Sequence, residues 1–363
     1  MRIGLIIYGR LDTISGGYLY DRQMVEHLRG QGDTVEIISL PWSHYGRHLT
    51  HNLSRRLFYR LRRASFDLLL QDELNHPSLF WLNRRLSRDS SVPIVSIVHH
   101  LRASEARPAW QNRFYNWIEG QYLNSVDSFI YNSQTTQTAV NQLLSAPKPG
   151  IVACPAGDRF QPAITAAEIA ERAQESGPLR LIFVGNLIPR KGLHTLLAAL
   201  ARLPVENWTL TVVGETAVNP AYARAIKRQA ARLNGQTRFP GAIADADLAQ
   251  QLRRSHLLVV PSQYEGFGIV YLEGMGFGLP AIASTAGAAQ EIISHETDGF
   301  LINPGDAAAL AAHIRTLHDN RARLTQMGLA ARQRFLAHPG WDASMARIRQ
   351  FLLSQTRKRN YDD

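Results

Sequence analysis

Short apolar runs, each closed by a glycine or polar turn and followed by a helical pattern, recur along this 363-residue chain. In the first half they are Ile3–Ile7, Val35–Ser39, Phe66–Leu70, Pro93–Val98, Ser128–Tyr131 and Ile151–Ala153. The scheme restarts with Leu179–Val184, Leu210–Val213, Leu257–Val260, Ala281–Ala283 and Phe300–Ile302. Runs this short and continuous are expected of strands in a parallel sheet whose two faces are both covered by helices. Between them lie amphipathic segments such as Leu193, Leu196, Leu197 and Leu200, spaced to form one helix face. The length exceeds what one ordinary core holds. Ala163 to Pro178 is poor in bulky residues and follows Pro155 and Pro162, so a hinge is expected at about 155–178. The expected fold is α/β, with two Rossmann-like doubly wound domains over 1–163 and 164–340. They are expected to face each other across a cleft at the carboxyl ends of both sheets. A last helix over 341–360 is expected to pack back on the first domain.

Composition narrows the class. With 45% hydrophobic and 19% charged residues the chain reads as globular, not disordered. No apolar run approaches the ~20 residues of a membrane span. Ile3–Ile7 is too short for a signal-peptide core and reads as a buried strand. The one cysteine, Cys154, excludes an intramolecular disulfide, agrees with a reducing cytoplasm, and is expected to be a small buried hydrophobe. A net charge of +10 points to anionic partners: nucleic acid, an acidic membrane surface, or a phosphate-bearing small molecule. A nucleic-acid-binding protein needs aromatic platforms or a recognition module, and neither is visible.

The sharpest local pattern is Glu265-Gly266-Phe267-Gly268-Ile269-Val270-Tyr271-Leu272-Glu273, after the run Leu257–Val260 and Pro261-Ser262. Two glycines between a strand and a helix let a ligand approach the backbone, where free amides face anions. With Glu273 read as about two turns inside a helix, eight residues rise ~12 Å, too far for both carboxylates to hold one small group. They suit two ends of a long ligand, since a carboxylate accepts two hydrogen bonds from a vicinal diol. A helix-start acid and a solvated helix acid are the plainer alternative. Arg190-Lys191-Gly192 follows the run Leu179–Val184, and Gly16-Gly17 follows the first run. No G-x-G-x-x-G follows that first run, which disfavours a nicotinamide-binding domain. Gly192 comes after the lysine, which excludes an NTPase phosphate loop.

Taken together these segments resemble the retaining glycosyltransferases of family four, which have the GT-B fold. The E-x7-E frame of EGFGIVYLE carries the resemblance furthest. Gly185 to Gly192, Gly16-Gly17, Pro261-Ser262, Gly276 to Pro280, Gly287 to Glu291 and Asp298-Gly299-Phe300-Leu301 extend it over nearly the whole chain, more closely in the second half. The resemblance implies a hexosyltransferase moving a sugar from a nucleotide-diphosphate donor to a hydroxyl of a glycan or lipid-linked glycan. It implies retention of configuration without a covalent protein intermediate, the departing phosphate helping to take the acceptor's proton. A nucleotide-sugar epimerase or a phosphorylase is the alternative on the same fold.

The site expected on this basis has His99, Arg190, Lys191 and Glu265 as its catalytic residues. Arg190 and Lys191 would stabilise the charge that gathers on the diphosphate. Gly16, Gly17 and Gly185 would approach the phosphates, and Glu273 would hold the ribose. Glu265 and the amides of Gly266, Phe267, Gly268 and Ile269 would hold the sugar, which His99 faces in the family. No metal or cofactor is expected, and Asp245-Ala246-Asp247 reads as a helix cap. Gln71 to His76 follows a run end in the first half and would face the acceptor. Arg55, Arg56, Arg60, Arg62 and Arg63, with Leu49, Leu53, Leu57 and Leu61 every four residues, read either as a helix for an anionic membrane or as a solvated cationic face. The expected location is the cytoplasm, peripheral to the membrane under the first of these readings.

Overall fold

The computed structural model of the chain describes residues 1–13, 15–105, 107–233 and 236–357. They form two compact units, Met1–Pro155 with Trp341–Asp363, and Ala156–Gly340. The first holds strands β1 (Arg2–Tyr8), β2 (Thr34–Leu40), β3 (Leu68–Asp72), β4 (Ile94–Val98), β5 (Ser128–Tyr131) and β6 (Gly150–Val152), in the sheet order β2-β1-β3-β4-β5-β6. The second holds β7 (Leu179–Val184), β8 (Trp208–Val213), β9 (Thr237–Gly241), β10 (Leu257–Val260), β11 (Ala281–Ser284) and β12 (Gly299–Ile302), in the order β12-β11-β10-β7-β8-β9. Pairing is parallel throughout these ladders. The cause is in the strands: Ile3, Leu5, Ile6 and Ile7 have no exposed surface, and neither do the four residues of β10, so both faces need helical cover.

Each order reverses direction once, between β1 and β3 in the first sheet and between β7 and β10 in the second. At such a point the connections leave in opposite directions and open a crevice beyond the carboxyl ends, where doubly wound sheets bind ligands. Each unit gathers its own candidate residues at its reversal point.

The structure corrects several expectations. Strand β9 has no apolar run to announce it. Its residues are half exposed, it lies on the sheet edge, and it carries Pro240, a residue that edges tolerate. The boundary between the units falls at Pro155–Ala156, the start of the stretch read as a hinge, but Ala166–Gln174 within it is a helix of the second unit, begun by a capping box between Thr165 and Glu168, with Ile169, Arg172 and Ala173 buried. Small residues there mark a helix packed closely against its neighbours. Gly16 and Gly17 form the first turn of the helix Gly16–Gly30, which Ser15 caps by accepting from the Tyr18 amide.

The leucine series from Leu49 to Leu61 is broken as well. A helix Tyr45–Thr50, a turn at His51–Leu53 and a helix Arg55–Arg63 replace one continuous helix, and Leu53 is exposed. The last helix, Trp341–Arg357, packs on Gly16–Gly30, with Arg349 Nε donating to Asp33 Oδ2 at 2.7 Å and Ser344 Oγ to the Cys154 carbonyl at 2.7 Å. Residues 358–360 of the helix expected there lie outside the described residues. Cys154 itself is only half-buried. No helix among the described residues is long and apolar enough to cross a membrane.

Candidate active site

In the second unit the turn after β7 and the segment after β10 are stitched together beside the point where the strand order reverses. The turn Pro189–Lys191 ends on Gly192, whose φ of +72° suits glycine and whose missing side chain leaves room for the Pro261 carbonyl. The Gln263 amide donates to the Arg190 carbonyl at 2.7 Å. These links place two cations on one carboxylate. Lys191 Nζ donates to Glu265 Oε1 at 2.5 Å, Ser262 Oγ donates to the same oxygen at 2.7 Å, and Arg190 Nη1 stands 3.7 Å from Oε2. Arg190 Nη1 also donates to the Tyr264 carbonyl at 2.7 Å. Gly185 lies against the Lys191 side chain, 3.5 Å from where a Cβ would be.

Burial by itself would raise the Glu265 carboxyl. Lys191 and then Arg190, with the hydrogen bonds from Lys191 and Ser262, outweigh it and hold the group at about 2. Glu265 is therefore a fixed anion at any physiological pH.

Glu273, the other end of the frame, stands about one helical turn in, not two. Only Ile269–Gly276 is helical, so ~6 Å of helical rise precedes it, and a bend at Gly266 and Phe267 joins the helix to Glu265. Gly268 takes φ +100°, where a side chain would collide with the Tyr271 ring. Phe267 is buried, and Ile269 opens the helix. Glu273 is buried and paired through Oε1 with Arg159 Nε at 2.6 Å, and Arg159 Nη1 reaches Asp245 Oδ1 at 3.2 Å. Here burial wins: the Glu273 carboxyl is pushed up, and Arg159 offsets only part of the shift. The two carboxylates of one motif are thus driven in opposite directions, a mark of divided roles. Arg159 was invisible in the sequence, because nothing local links it to a helix more than a hundred residues away.

Asp245 and Asp247 do not cap their helix. Its cap residue is Ala244, with no side-chain cap bond, and both acids lie in the first turn, where the helix dipole favours them.

In the first unit the candidate residues gather around β1, β3 and β4. His99 follows β4, and its Nε2 lies 3.2 Å from Oδ1 of the fully buried Asp21 on Gly16–Gly30. Tyr20 meets the ring edge-on at 5.3 Å between centroids. A Cβ on Gly17 would sit 3.2 Å from His99 Cδ2, so the glycine makes room for this ring. Burial disfavours the imidazolium, but Asp21, then Asp72 and Glu73, outweigh it and push His99 up to about 9.

Asp72, the last residue of β3, and Glu73 after it are buried. Burial raises both, Asp72 to about 7 with Asp21 adding to the effect, and Glu73 to about 8. Beyond them His76 Nδ1 lies 3.0 Å from Glu73 Oε1, and Tyr45 Oη 2.9 Å from His76 Nε2. Glu119 accepts from the Arg102 amide at 2.5 Å and the Ala103 amide at 3.2 Å. The sequence singled out the run Gln71–His76 but not Asp21 or Glu119. Their signal was an acid within an apolar stripe: Tyr18, Asp21, Val25 and Leu28 are all buried on one helix face.

Comparisons with known proteins agree with this architecture. Residues 165–334 match the family Glycosyl transferases group 1, and residues 20–157 match Glycosyltransferase Family 4. The chain is 30% identical over 291 residues to a glycogen synthase of Mycobacterium tuberculosis, covering 78% of this chain and 67% of that protein. It is 26% identical over 290 residues to the O-antigen chain mannosyltransferase B of Escherichia coli, covering 77% and 75%. Among solved structures it is similar to a sucrose-phosphate synthase of Thermosynechococcus elongatus, with TM-score 0.81 and 22% identity over 97% of this chain and 98% of that one. Anabaena HepE in complex with UDP-glucose superposes with TM-score 0.77 and 21% identity over 98% and 100%. The chain belongs to the glycosyl transferases group 1, family 4, with a two-domain GT-B fold, and it is a sugar-transferring enzyme of the hexosyltransferase type.

Proposed function

We propose that this enzyme moves a hexose from a nucleotide-diphosphate sugar to a hydroxyl of a glycan or lipid-linked glycan, with retention of configuration. The observation that carries this reading is the Lys191–Glu265–Arg190 cluster at the reversal point of the second sheet. A diphosphate bound there meets two cations whose positions are already set, Lys191 by Glu265 and Arg190 by the Tyr264 carbonyl. As the bond from C1 to the diphosphate breaks, charge grows on the leaving oxygen, and fixed cations stabilise that state beyond the bound donor. The acceptor oxygen bonds to C1 on the same face, and its proton passes to the departing phosphate.

Glu265 is a poor covalent nucleophile, because Lys191 and Ser262 engage the same oxygen. This supports transfer without a glycosyl-enzyme intermediate. Glu265 and the backbone from Gly266 to Ile269 hold the sugar, Glu273 accepts from the ribose diol, Gly16, Gly17 and Gly185 line the phosphate path, and His99 faces the sugar. A glycan or lipid-linked acceptor is supported by the names of the relatives, among them a glycogen synthase and an O-antigen mannosyltransferase.

A thermal-shift screen of UDP-, GDP-, ADP- and dTDP-sugars tests donor binding, since a ligand at 100 times its Kd adds ~2.7 kcal/mol. Product analysis by proton NMR then reads the anomeric configuration. An inverted product overturns the retaining step. Sugar release to inorganic phosphate alone, with no transfer to an alcohol, overturns the transferase.

No metal enters this scheme. Overnight dialysis against EDTA is expected to leave the transfer rate unchanged, and Asp245→Ala to cost at most ~1 kcal/mol, the worth of a first-turn acid. Loss of activity on chelation, restored by manganese, contradicts the assignment.

We also propose a cytoplasmic location, in keeping with a chain that carries a single cysteine, and contact with an anionic membrane through Arg55–Arg63. Ser54 caps this helix, and Leu57, Phe58 and Leu61 are buried, which turns the arginines outward. Arg60 pairs with Glu36 at 2.9 Å and Arg62 lies 3.9 Å from Asp89, so part of the charge is already compensated. Sedimentation with phosphatidylserine vesicles at low salt is expected, and the triple change of Arg55, Arg56 and Arg60 to Glu should abolish it, at ~1 kcal/mol per basic residue. Equal sedimentation with neutral vesicles, or none with either, returns the helix to a solvated face.

A further inference from the structure

Four carboxyl groups and two imidazoles are buried together at the carboxyl ends of β1, β3 and β4, and the scheme above uses only His99. Asp21 is the member nearest to it. This acid has no exposed surface, and its two oxygens are in different situations: Oδ1 faces His99 Nε2 at 3.2 Å, while Oδ2 has no hydrogen-bond partner among the described residues. An orphan carboxylate oxygen this deep is costly unless a cation beside it compensates the charge. Asp72 adds to the demand: one oxygen each of Asp21 and Asp72 and a ring nitrogen of His99 lie within 4.8 Å of one another. Asp72 Oδ1 already accepts from the Leu74 amide at 2.9 Å. Two carboxyls this close in a dry site cannot both ionise cheaply, and His99 is the group placed to supply the compensating charge.

We propose that Asp21 is the positioning residue for His99, holding its ring as the imidazolium cation between Asp21 and Asp72. His99 then meets the sugar as a fixed cationic hydrogen-bond donor through Nδ1, and never as a base. The inference rests on the reading of His99 as the group that faces the donor sugar. Its electrostatic part stands on the unliganded protein alone. The groups facing His99 are Tyr20 and Asp21 from Gly16–Gly30, Asp72 from the end of β3, and Glu73 just after it. Tyr18 faces Asp72 and Asp21, and Arg102 faces Glu73 from the far side. No cation among these competes with His99 for Asp21. The direction agrees with the upward shift of the ring, in which Asp21 is the leading opposing charge. A plain structural role for Asp21 would predict lost stability, with no change in when the ring titrates.

The test is ring NMR of histidine-labelled protein without donor, with the His99 signal assigned by its loss in His99→Gln. Wild-type His99 should stay protonated through pH 8. In Asp21→Asn it should titrate about 1–3 pH units lower. Asp72→Asn removes the lesser of the two carboxyls beside the ring, so its His99 should titrate below the wild type but above its ordinary value of about 6.5. In transfer assays with whichever donor the wild type accepts, Asp21→Asn should lose kcat with rising pH while the donor KM holds. A ring back at its ordinary value of about 6.5 is only ~3% charged at pH 8, which predicts a rate about thirtyfold lower there and recovery toward pH 6. His99 titrating below 7 in the wild type, unchanged titration in Asp21→Asn, or a return of the ring to its ordinary value of about 6.5 in Asp72→Asn each overturns the proposal. Should Asp21→Asn fail to fold, the wild-type and Asp72→Asn spectra still decide. Inactivity of the wild type with every donor would instead overturn the assigned function and leave the ring titration standing.

Discussion

Replacing Arg190 by alanine is expected to lower the saturated transfer rate about a hundredfold while the donor dissociation constant changes little. Removing one preorganised group that faces developing charge commonly costs ~3 kcal/mol of barrier, which is a factor of that size. Arg190 is the cleaner of the two cations to remove. Its guanidinium stands 3.7 Å from Glu265 and donates to the Tyr264 carbonyl, while Lys191 and Ser262 keep the carboxylate engaged without it. The fold of the second unit should therefore survive the change. Glu273→Ala supplies the contrast. A ribose contact is the same in bound donor and transition state, so its loss should raise the donor constant and leave the saturated rate near its original value. Single-turnover kinetics with donor titration separates the patterns. If Arg190→Ala loses only donor affinity, the leaving-group role is wrong.

Much of this site was legible in the residues because it is built from backbone requirements. Strands β5, β7 and β10 have the bounds their apolar runs suggest, since a strand covered on both faces has no reason to carry polar residues. Gly192 and Gly268 stand at positive φ beside a carbonyl and a ring that leave no room for a side chain. Such glycines sit at fixed offsets from the charged residues they position, so a motif can expose them.

What stayed hidden depends on strand order. Nothing in the sequence places β3 beside β1 or β10 beside β7, and it is this order that brings Asp72 toward Asp21 and Glu265 onto Lys191. Arg159 on Glu273 and Glu119 below Arg102 are likewise joined only by tertiary packing. The misplaced cap at Asp245 has another cause. An acid before a helical pattern fits both the cap and the first turn, and only backbone dihedrals decide between them.

Lys191→Ala should behave differently from its neighbour, with loss of stability as the dominant effect. Lys191 is half-buried against the buried Glu265, and taking the cation from a buried carboxylate commonly costs ~3–5 kcal/mol, because the remaining charge is stranded away from water. Glu265 would be left with Ser262 at 2.7 Å and Arg190 at 3.7 Å, a weaker compensation than the ammonium at 2.5 Å. Urea unfolding should show the loss near neutral pH. The sign of its pH dependence follows from Glu265. Its carboxyl is held at about 2, below the ordinary 4.5, so in the wild type the pair stabilises the fold above pH 4.5 and ceases to do so as pH falls through 2. The deficit of Lys191→Ala should accordingly narrow as the medium becomes acid.

Glu265→Gln in the Lys191→Ala background removes the stranded charge and should restore most of the stability, giving a large coupling energy in the double-mutant cycle. It should not restore transfer, since the cation that faced the diphosphate is still missing. A single variant as stable as the wild type would mean that Arg190 swings in to replace the ammonium, and the two cations would then have to be removed together before their role could be read. Recovery of transfer in the double variant would show that Lys191 served only to neutralise Glu265, leaving Arg190 as the sole group that stabilises the leaving diphosphate.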